Sequence, residues 1–437
     1  MTKSARQIAF EILLKIEKDK AYSNLAVDNA VKASELSSTD TAFVSHLVYG
    51  VVERKITLDY ALSKHLNQPV GKLKAEVLVI LRMGAYQLLF SEKIPASAAV
   101  NESVKLAKNN KSAYASGMVN AVLRKITEKD LETSGLSEYE KISVDFSIPV
   151  ELVKFFIYHY GAENTRGFLS SALETKRVYA KVNTTRATTE DLIEKLGSEG
   201  VTAEKTILPD ALLLHLKGAL YELEAYKNGL FHIEDISSQY CVKALDVFEG
   251  ATVIDVCSAP GGKSFSIAEE MNNKGTVYSC DLYEQRVSLI KSGAQRLGLS
   301  CINAIVNDAS VFNERLPMAD RVLCDVPCSG LGIIGKKPEI KYKKLDDIKE
   351  LIPVQKQILD ISSRYVKSGG RLVYSTCSVN PNENRRVCDE FLKAHTDFKS
   401  VRVLPDIKRT IDEGDYLTLM MHTNNCDGFF IAVFEKE

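Results

Sequence analysis

The sequence predicts a multidomain protein: an all-α domain over 1–130, a small α+β domain over 131–234, and an α/β domain with a parallel, doubly covered sheet over 235–437. Three observations lead there. Residues 1–128 carry apolar side chains at helical spacing and lack strand-like alternation. Between about 130 and 235 the pattern mixes, in the order strand, helix, two strands, helix, strand. From Asp235 onward β and α signals alternate strictly, which implies a parallel sheet with helices on both faces. A chain of 437 residues is also too long for one compact core.

The N-terminal helices are marked by Ile8, Ile12, Leu13 and Ile16, and then by Phe43, Leu47, Val48 and Val51. Val77, Leu78, Leu81, Tyr86, Leu88 and Leu89 mark a more buried helix; 97–108 follows Pro95, and the last runs over 113–126. In the middle region, helices at 149–160 and 164–174 precede a strand at 179–184 and a helix at 189–199. Strands near Val201 and at 212–216, a short helix at 221–227 and a strand at 230–233 complete the order of a ferredoxin-like or RRM-like unit. Such sheets often bind RNA, yet no aromatic pair stands where stacked bases would need one. Further on, strands are expected at 252–257, 276–281, 304–308, 320–325, 371–377, 398–404 and 428–434. The intervening helices are placed at 262–271, 283–297, 345–367 and 382–394. The last strand follows a long segment and is expected to run antiparallel at or near the edge.

Composition narrows the function. Apolar residues make up 45% and charged residues 26%, ordinary for a globular protein. Formal net charge is −1, but residues 1–130 carry 19 Lys plus Arg against 13 Asp plus Glu. A basic N-terminal third points toward a polyanion partner, and Arg6, Lys72 and Lys74 are candidates for phosphate contact. No apolar run approaches a membrane span, and 1–20 lacks a signal-peptide core, so a cytoplasmic protein without a membrane partner is expected. Nine cysteines between 241 and 426, an odd number, fit reduced thiols, and without a Cys-x-x-Cys pair no metal site is expected.

In an open α/β sheet, ligands sit beyond the carboxyl ends of the strands. The first such turn is Cys257-Ser258-Ala259-Pro260-Gly261-Gly262-Lys263. Its glycines allow close backbone approach, and the following helix offers free N–H groups to an anion. The spacing is neither Gly-x-Gly-x-x-Gly nor a Walker loop, which disfavours nicotinamide and nucleoside-triphosphate ligands. S-adenosylmethionine fits better, its carboxylate taking those amides. Asp281, 26 residues after Asp255, ends the second strand where a carboxylate accepts from ribose hydroxyls; Asp308 ends the third, placed for the adenine amino group. Each also reads as an acidic helix cap.

Two cysteines close the set, in Asp325-Val326-Pro327-Cys328-Ser329-Gly330-Leu331-Gly332 and in Ser375-Thr376-Cys377-Ser378, the latter followed by Asn380-Pro381-Asn382-Glu383-Asn384. With the glycine loop, these stretches resemble the RNA 5-methylcytosine methyltransferases throughout 252–381. At the N-terminus, Leu47-Val48-Tyr49-Gly50-Val51-Val52-Glu53-Arg54, Leu81-Arg82-Met83-Gly84-Ala85-Tyr86-Gln87-Leu88-Leu89, Ile94-Pro95 and Val119-Asn120-Ala121-Val122-Leu123-Arg124 resemble the NusB-type RNA-binding domain. Together they are similar to the bacterial Sun/Fmu-type enzymes, in which a NusB-like domain is fused to a Rossmann-like class I methyltransferase acting on cytosine C5 in 16S rRNA.

That resemblance implies an S-adenosylmethionine-dependent enzyme, a ribosomal RNA partner and a monomer. It makes Cys377 the nucleophile at cytosine carbon 6 and gives Cys328 a part in proton removal or release. Asp325 would bond the base at its ring nitrogen and amino edge, and Lys263 would lower a nearby thiol pKa or fix Asp325. The target base must be flipped or unpaired to enter. In DNA cytosine methyltransferases the Pro-Cys cysteine itself attacks, which here would reverse the two roles. A transfer RNA substrate, or an idle RNA-binding assembly factor, are the competing functions. Lys336, Lys337, Lys341, Lys343 and Lys344, opposed by Glu339, are expected to contact phosphates beside the active site.

Overall fold

The structure, a computed structural model, describes residues 3–19, 23–32, 36–174, 176–216 and 218–437. It comprises two compact units, Met1–Leu173 with Ile334–Lys343, and Glu174–Ile333 with Lys344–Glu437.

The first unit is helical: α1 (Ala5–Asp19), α2 (Ser23–Lys32), α3 (Ser38–Glu53), α4 (Lys55–Ser63), α5 (Ala75–Phe90), α6 (Ala96–Asn109), α7 (Ser116–Leu123), α8 (Glu138–Phe146) and α9 (Val150–Leu173). Ser37 caps α3 by accepting from the Asp40 N–H, and Ser137 with Glu140 forms a reciprocal cap on α8. Helix α5 is buried along most of its length, with Val77, Ile80, Leu81 and Met83 against Phe10, Leu47 and Leu58. Its one buried cation, Arg82, is matched by a bidentate contact to Asp59 at 2.7 Å and a bond to Glu17 at 3.0 Å. The two helices expected at 149–160 and 164–174 form one run broken at Gly161, whose φ is +76°.

The loop segment Ile334–Lys343 packs into this unit, which corrects one expectation from the charge pattern. Lys341 is 1% exposed and donates to the carbonyls of Glu53 and Phe146, both at 3.3 Å, so it is withdrawn from any phosphate. Lys336, Lys337 and Lys344 are exposed. Arg6 is turned inward, donating to Gln87 at 2.9 Å and lying over the Phe43 ring, whereas Lys72 and Lys74 are exposed.

The second unit begins with β1 (Val178–Val182), α10 (Thr189–Ser198), β2 (Thr202–Lys205), β3 (Ala211–His215), α11 (Glu224–Lys227) and β4 (Phe231–Ile233). These strands pair antiparallel in the order β2-β3-β1-β4, the ferredoxin-like arrangement. A helix the sequence reading passed over follows, α12 (Ile236–Leu245), capped by Asp235.

The large sheet then forms from β5 (Thr252–Asp255), α13 (Gly262–Glu270), β6 (Thr276–Asp281), α14 (Glu284–Leu297), β7 (Ile302–Val306), β8 (Ala319–Asp325), α15 (Leu345–Lys349), α16 (Leu351–Ser363), β9 (Val366–Thr376), α17 (Arg385–Ala394), β10 (Phe398–Val401), β11 (Leu417–Leu419), α18 (Met421–Asn424) and β12 (Phe429–Lys436). Strand order is β10-β12-β9-β8-β5-β6-β7, with β11 beside β12. The run from β9 to β7 is parallel, and β12 is antiparallel to β9, one strand in from the edge. Both faces are covered: Ile254, Val322, Leu372 and Phe430 lie in one core, and Val253, Leu323, Val373 and Ile431 in the other. In this Rossmann-like arrangement the parallel strands share one carboxyl edge.

Gly50 of α3 lies against Tyr86 of α5 so closely that an added Cβ would stand 2.0 Å from the ring. Gly50→Ala would gain about 1 kcal/mol of helix propensity, but displacing the ring costs about 1–3 kcal/mol. A lower melting temperature is therefore expected, partly restored by adding Tyr86→Leu; an unchanged melting temperature would refute this packing.

Candidate active site

The carboxyl ends of β5, β6 and β7 lie side by side, and the chain places an acidic residue at or just past each: Asp255, Asp281 and Asp308. On the other side of β5, strands β8 and β9 are parallel neighbours in the register Asp325↔Ser375. The loops leaving them therefore start level with each other. Cys328 follows Asp325 by three residues and Cys377 follows Ser375 by two, so adjacent parallel strands bring the two thiols together. Their sulfurs are 3.1 Å apart, and both cysteines are free and half-buried.

Burial and nearby negative charge act on this pair. The hydrogen bond to Cys377 foremost, then burial and the negative charge of Glu383 and Asp325, push the Cys328 thiol well above the usual thiol range. Either sulfur can donate in this contact.

The glycine loop has the shape of a ligand cradle. Gly261 has φ +114°, and an added Cβ would stand 2.4 Å from the Phe265 ring. Helix α13 starts at Gly262, so its first N–H groups face the loop. Ile233, Glu234, Asp235, Ser238, Asp255, Cys257, Ser258, Ala259, Pro260, Gly262, Lys263 and Asp325 surround a cavity of about 210 Å³. Two buried carboxylate oxygens in this lining, Asp255 Oδ1 and Glu234 Oε1, have no hydrogen-bond partner among the described residues. A helix N-terminus and bare carboxylate oxygens suit the two ends of a zwitterionic amino acid, so these residues fit the methionine part of S-adenosylmethionine.

Lys263 Nζ donates to Asp325 Oδ2 at 2.7 Å, and the Ser375 hydroxyl donates to Asp325 Oδ1 at 2.8 Å. Burial, the largest single influence, would lower the Lys263 pKa; the charge and hydrogen bond of Asp325, with Glu234 and other nearby groups, together outweigh it, so Lys263 stays charged. Asp255, 1% exposed, is pushed up to about 7, by burial above all and against the Ser264 hydroxyl that donates to it at 2.8 Å.

Asp281 and Asp308 lie outside this cavity's lining. Asp281 is buried, 3.1 Å from Arg286, whose guanidinium also donates to the Ala259 carbonyl at 2.8 Å. Arg286 thus ties the second strand end to the glycine loop. Asp308 is exposed, with Oδ1 closing a turn onto the Ser310 N–H and hydroxyl at 2.9 and 2.6 Å. Sequence reasoning singled out neither Arg286 nor Glu234, and it treated Glu383 only as part of a motif. Nothing in the local pattern distinguishes a charged residue that closes a site from one on a solvated helix face.

A model described as 16S rRNA methyltransferase RsmB/F matches residues 242–435, and one described as the NusB family matches residues 3–128. A protein of Bacillus subtilis (strain 168) named probable ribosomal RNA small subunit methyltransferase B is 38% identical over 443 residues, covering 99% of both chains. Its namesake in Synechocystis sp. is 34% identical, also over 99% of both. Among solved structures, that of PH0851 has a TM-score of 0.84 at 25% identity and covers 100% of both chains. That of NSun6 from Pyrococcus horikoshii with SFG has a TM-score of 0.61 at 21% identity, over 66% of this chain and 98% of the other, and shows the fold.

The Asp255 shift has a sign that can be measured. Its folded-state pKa is raised above the unfolded value, so the stability it carries as an acid is full below about pH 4 and is lost as pH rises through about 7. Asp255→Asn removes this dependence. Between these limits wild-type stability should fall relative to the variant's, followed by melting temperature against pH; parallel curves would exclude a protonated Asp255.

Proposed function

We propose, for a chain that belongs to the 16S rRNA methyltransferase RsmB/F family, that it transfers a methyl group from S-adenosylmethionine to carbon 5 of a cytosine in 16S ribosomal RNA. The reaction runs through a transient bond between Cys377 and carbon 6. The observation that carries this reading is the pair of free thiols, their sulfurs 3.1 Å apart, on the sheet edge that also bears the glycine loop.

Cys257, Ser258, Ala259, Pro260, Gly261, Gly262 and Lys263 hold the methionine part of the cofactor, Asp281 the ribose and Asp308 the adenine. When bound, the cofactor supplies an electrophilic methyl group. Carbon 5 of cytosine is too weak a nucleophile to take it unaided. Cys377 sulfur adds to carbon 6, forming the C–S bond and moving the ring's electron pair toward carbon 5. Asp325, fixed by Lys263 and Ser375, bonds the ring nitrogen and amino edge of the base and stabilises that polarised ring.

After transfer, the proton on carbon 5 must leave. Once Cys377 sulfur is bonded to carbon, it no longer holds the Cys328 proton as a hydrogen-bond acceptor. The hydrogen bond that chiefly raises the Cys328 pKa is then gone, so Cys328 releases its own proton to solvent and becomes a thiolate base. It takes the carbon 5 proton, the C–H electrons restore the ring double bond, and Cys377 departs as thiolate. In the reverse assignment Cys328 attacks and Cys377 is the base.

In this reading residues 1–130 grip RNA, 131–234 link, and 235–437 carry the chemistry, in a monomer that works in the cytoplasm without a metal. The basic surplus of 1–130 supports the first of these. Among the described residues, no helix is long and apolar enough to cross a membrane.

Two variants test the assignment on a denaturing gel with 16S RNA and cofactor. Cys377→Ala should form no covalent RNA adduct, and Cys328→Ala should accumulate one; the opposite pattern would overturn the roles. In a strain lacking this protein, bisulfite sequencing should show one 5-methylcytosine lost from 16S rRNA, and an unchanged profile would refute the substrate.

A further inference from the structure

One buried carboxylate has no part in the chemistry above and yet touches both cysteine loops. Glu383 is 0% exposed and follows β9 in the stretch Asn380-Pro381-Asn382-Glu383-Asn384. Its Oε1 accepts the Ser329 N–H at 2.7 Å and the Gln355 amide at 3.0 Å. Its Oε2 accepts the Ser329 hydroxyl at 2.5 Å and the Ser378 hydroxyl at 2.8 Å. Ser329 and Ser378 directly follow Cys328 and Cys377. Gln355 adds a second tie, donating also to the carbonyl of Pro327 at 3.0 Å, just before Cys328.

Four donors on two oxygens suit a carboxylate, which only accepts. Among the described residues no cation pairs with Glu383. A buried charge held by dipoles alone is costly to place, and a glutamine there would point donors at donors. The stretch carrying Glu383 is itself pinned to the second loop: the Tyr374 hydroxyl donates to the Glu383 carbonyl at 2.6 Å, and the Asn384 amide donates to the Ser378 carbonyl at 2.8 Å.

We infer that Glu383 is a positioning residue: it locks the two cysteine loops together so that Cys377, and not Cys328, presents the attacking sulfur. This rests on the reading of Cys377 as nucleophile given above. The Glu383 charge also acts on the Cys328 thiol in the direction that keeps its proton, in agreement with the geometry.

The test is thiol selectivity in the full-length protein without RNA, with limiting iodoacetamide at neutral pH and mass spectrometry of the two cysteine peptides. Wild-type protein should be alkylated at Cys377 about tenfold faster than at Cys328, the scale of one hydrogen bond to a charged group. Glu383→Gln should bring the two rates within about threefold, with cofactor affinity changed by less than about twofold; Glu383→Asp, which keeps the charge, should restore part of the preference. Should Glu383→Gln fail to fold, Ser378→Ala removes one donor and should shift the ratio in the same direction by a smaller factor. Wild-type selectivity in folded Glu383→Gln, or in Ser378→Ala, would overturn the inference. Adduct formation of the wild type with RNA carrying 5-fluorocytosine separates the two levels. If no adduct forms, the reading of Cys377 as nucleophile fails; if one forms while selectivity survives the substitutions, only the role of Glu383 fails.

Discussion

The contact between the Cys328 and Cys377 sulfurs is the constraint on which the rest of the catalytic unit depends. It requires two loops, 49 residues apart in sequence, to present thiols within hydrogen-bond distance. Parallel neighbours in a sheet provide this, because their carboxyl ends emerge at one edge in fixed register. Inserting β12 antiparallel on the far side of β9 leaves that edge intact while covering β9. The crowding is reciprocal: Gly332 and Gly428 touch so closely that a Cβ on Gly332 would stand 1.8 Å from the Gly428 carbonyl. The loop after Cys328 and the start of β12 are thus pressed against each other, with the Gly332 N–H donating to the Cys377 carbonyl at 3.0 Å.

Charge around that contact is graded along the sheet edge. Asp255, buried and without a cation of its own, is pushed toward neutrality, while Asp325, one strand over, is neutralised by Lys263. The two carboxylates are close enough for Asp325 to raise the Asp255 pKa, so pairing one with lysine and shifting the other lowers the cost of burying both. Cys328 completes the series, its thiol pKa raised by the contact with Cys377, by burial and by the Glu383 and Asp325 charges. The proposed reaction, which adds a sulfur to a ring and then removes a proton, needs acid and base character at different moments.

Much of this was legible in the chain. Strict alternation of strand and helix signals after Asp235 placed the parallel strands within a few residues, because both periods are local properties of sequence. The glycine loop and both cysteine loops were legible for the same reason, each being a short stretch at a strand end. Less legible were features fixed by tertiary contact. Lys341 belongs to a lysine-rich run that reads as a solvated basic loop, and only the packing of 334–343 into the helical unit shows it buried on two carbonyls. Helix α12 is short and immediately precedes β5, so its apolar residues merge with the strand signal. Strand β11 has three residues, too few for a period to show. Glu383 sits just before a helix, where an acid is expected as a cap; its four donors come from segments up to 54 residues away.

The proposed reaction stands on a bond between the Cys377 sulfur and the base. Trapping the wild-type protein on 16S RNA carrying 5-fluorocytosine, digesting both polymers and sequencing the nucleotide-bearing peptide by mass spectrometry tests it most directly. The fluorine at carbon 5 cannot leave as a proton does, so the adduct persists. The nucleotide should be found on the peptide containing Cys377; a nucleotide on the Cys328 peptide would contradict the account.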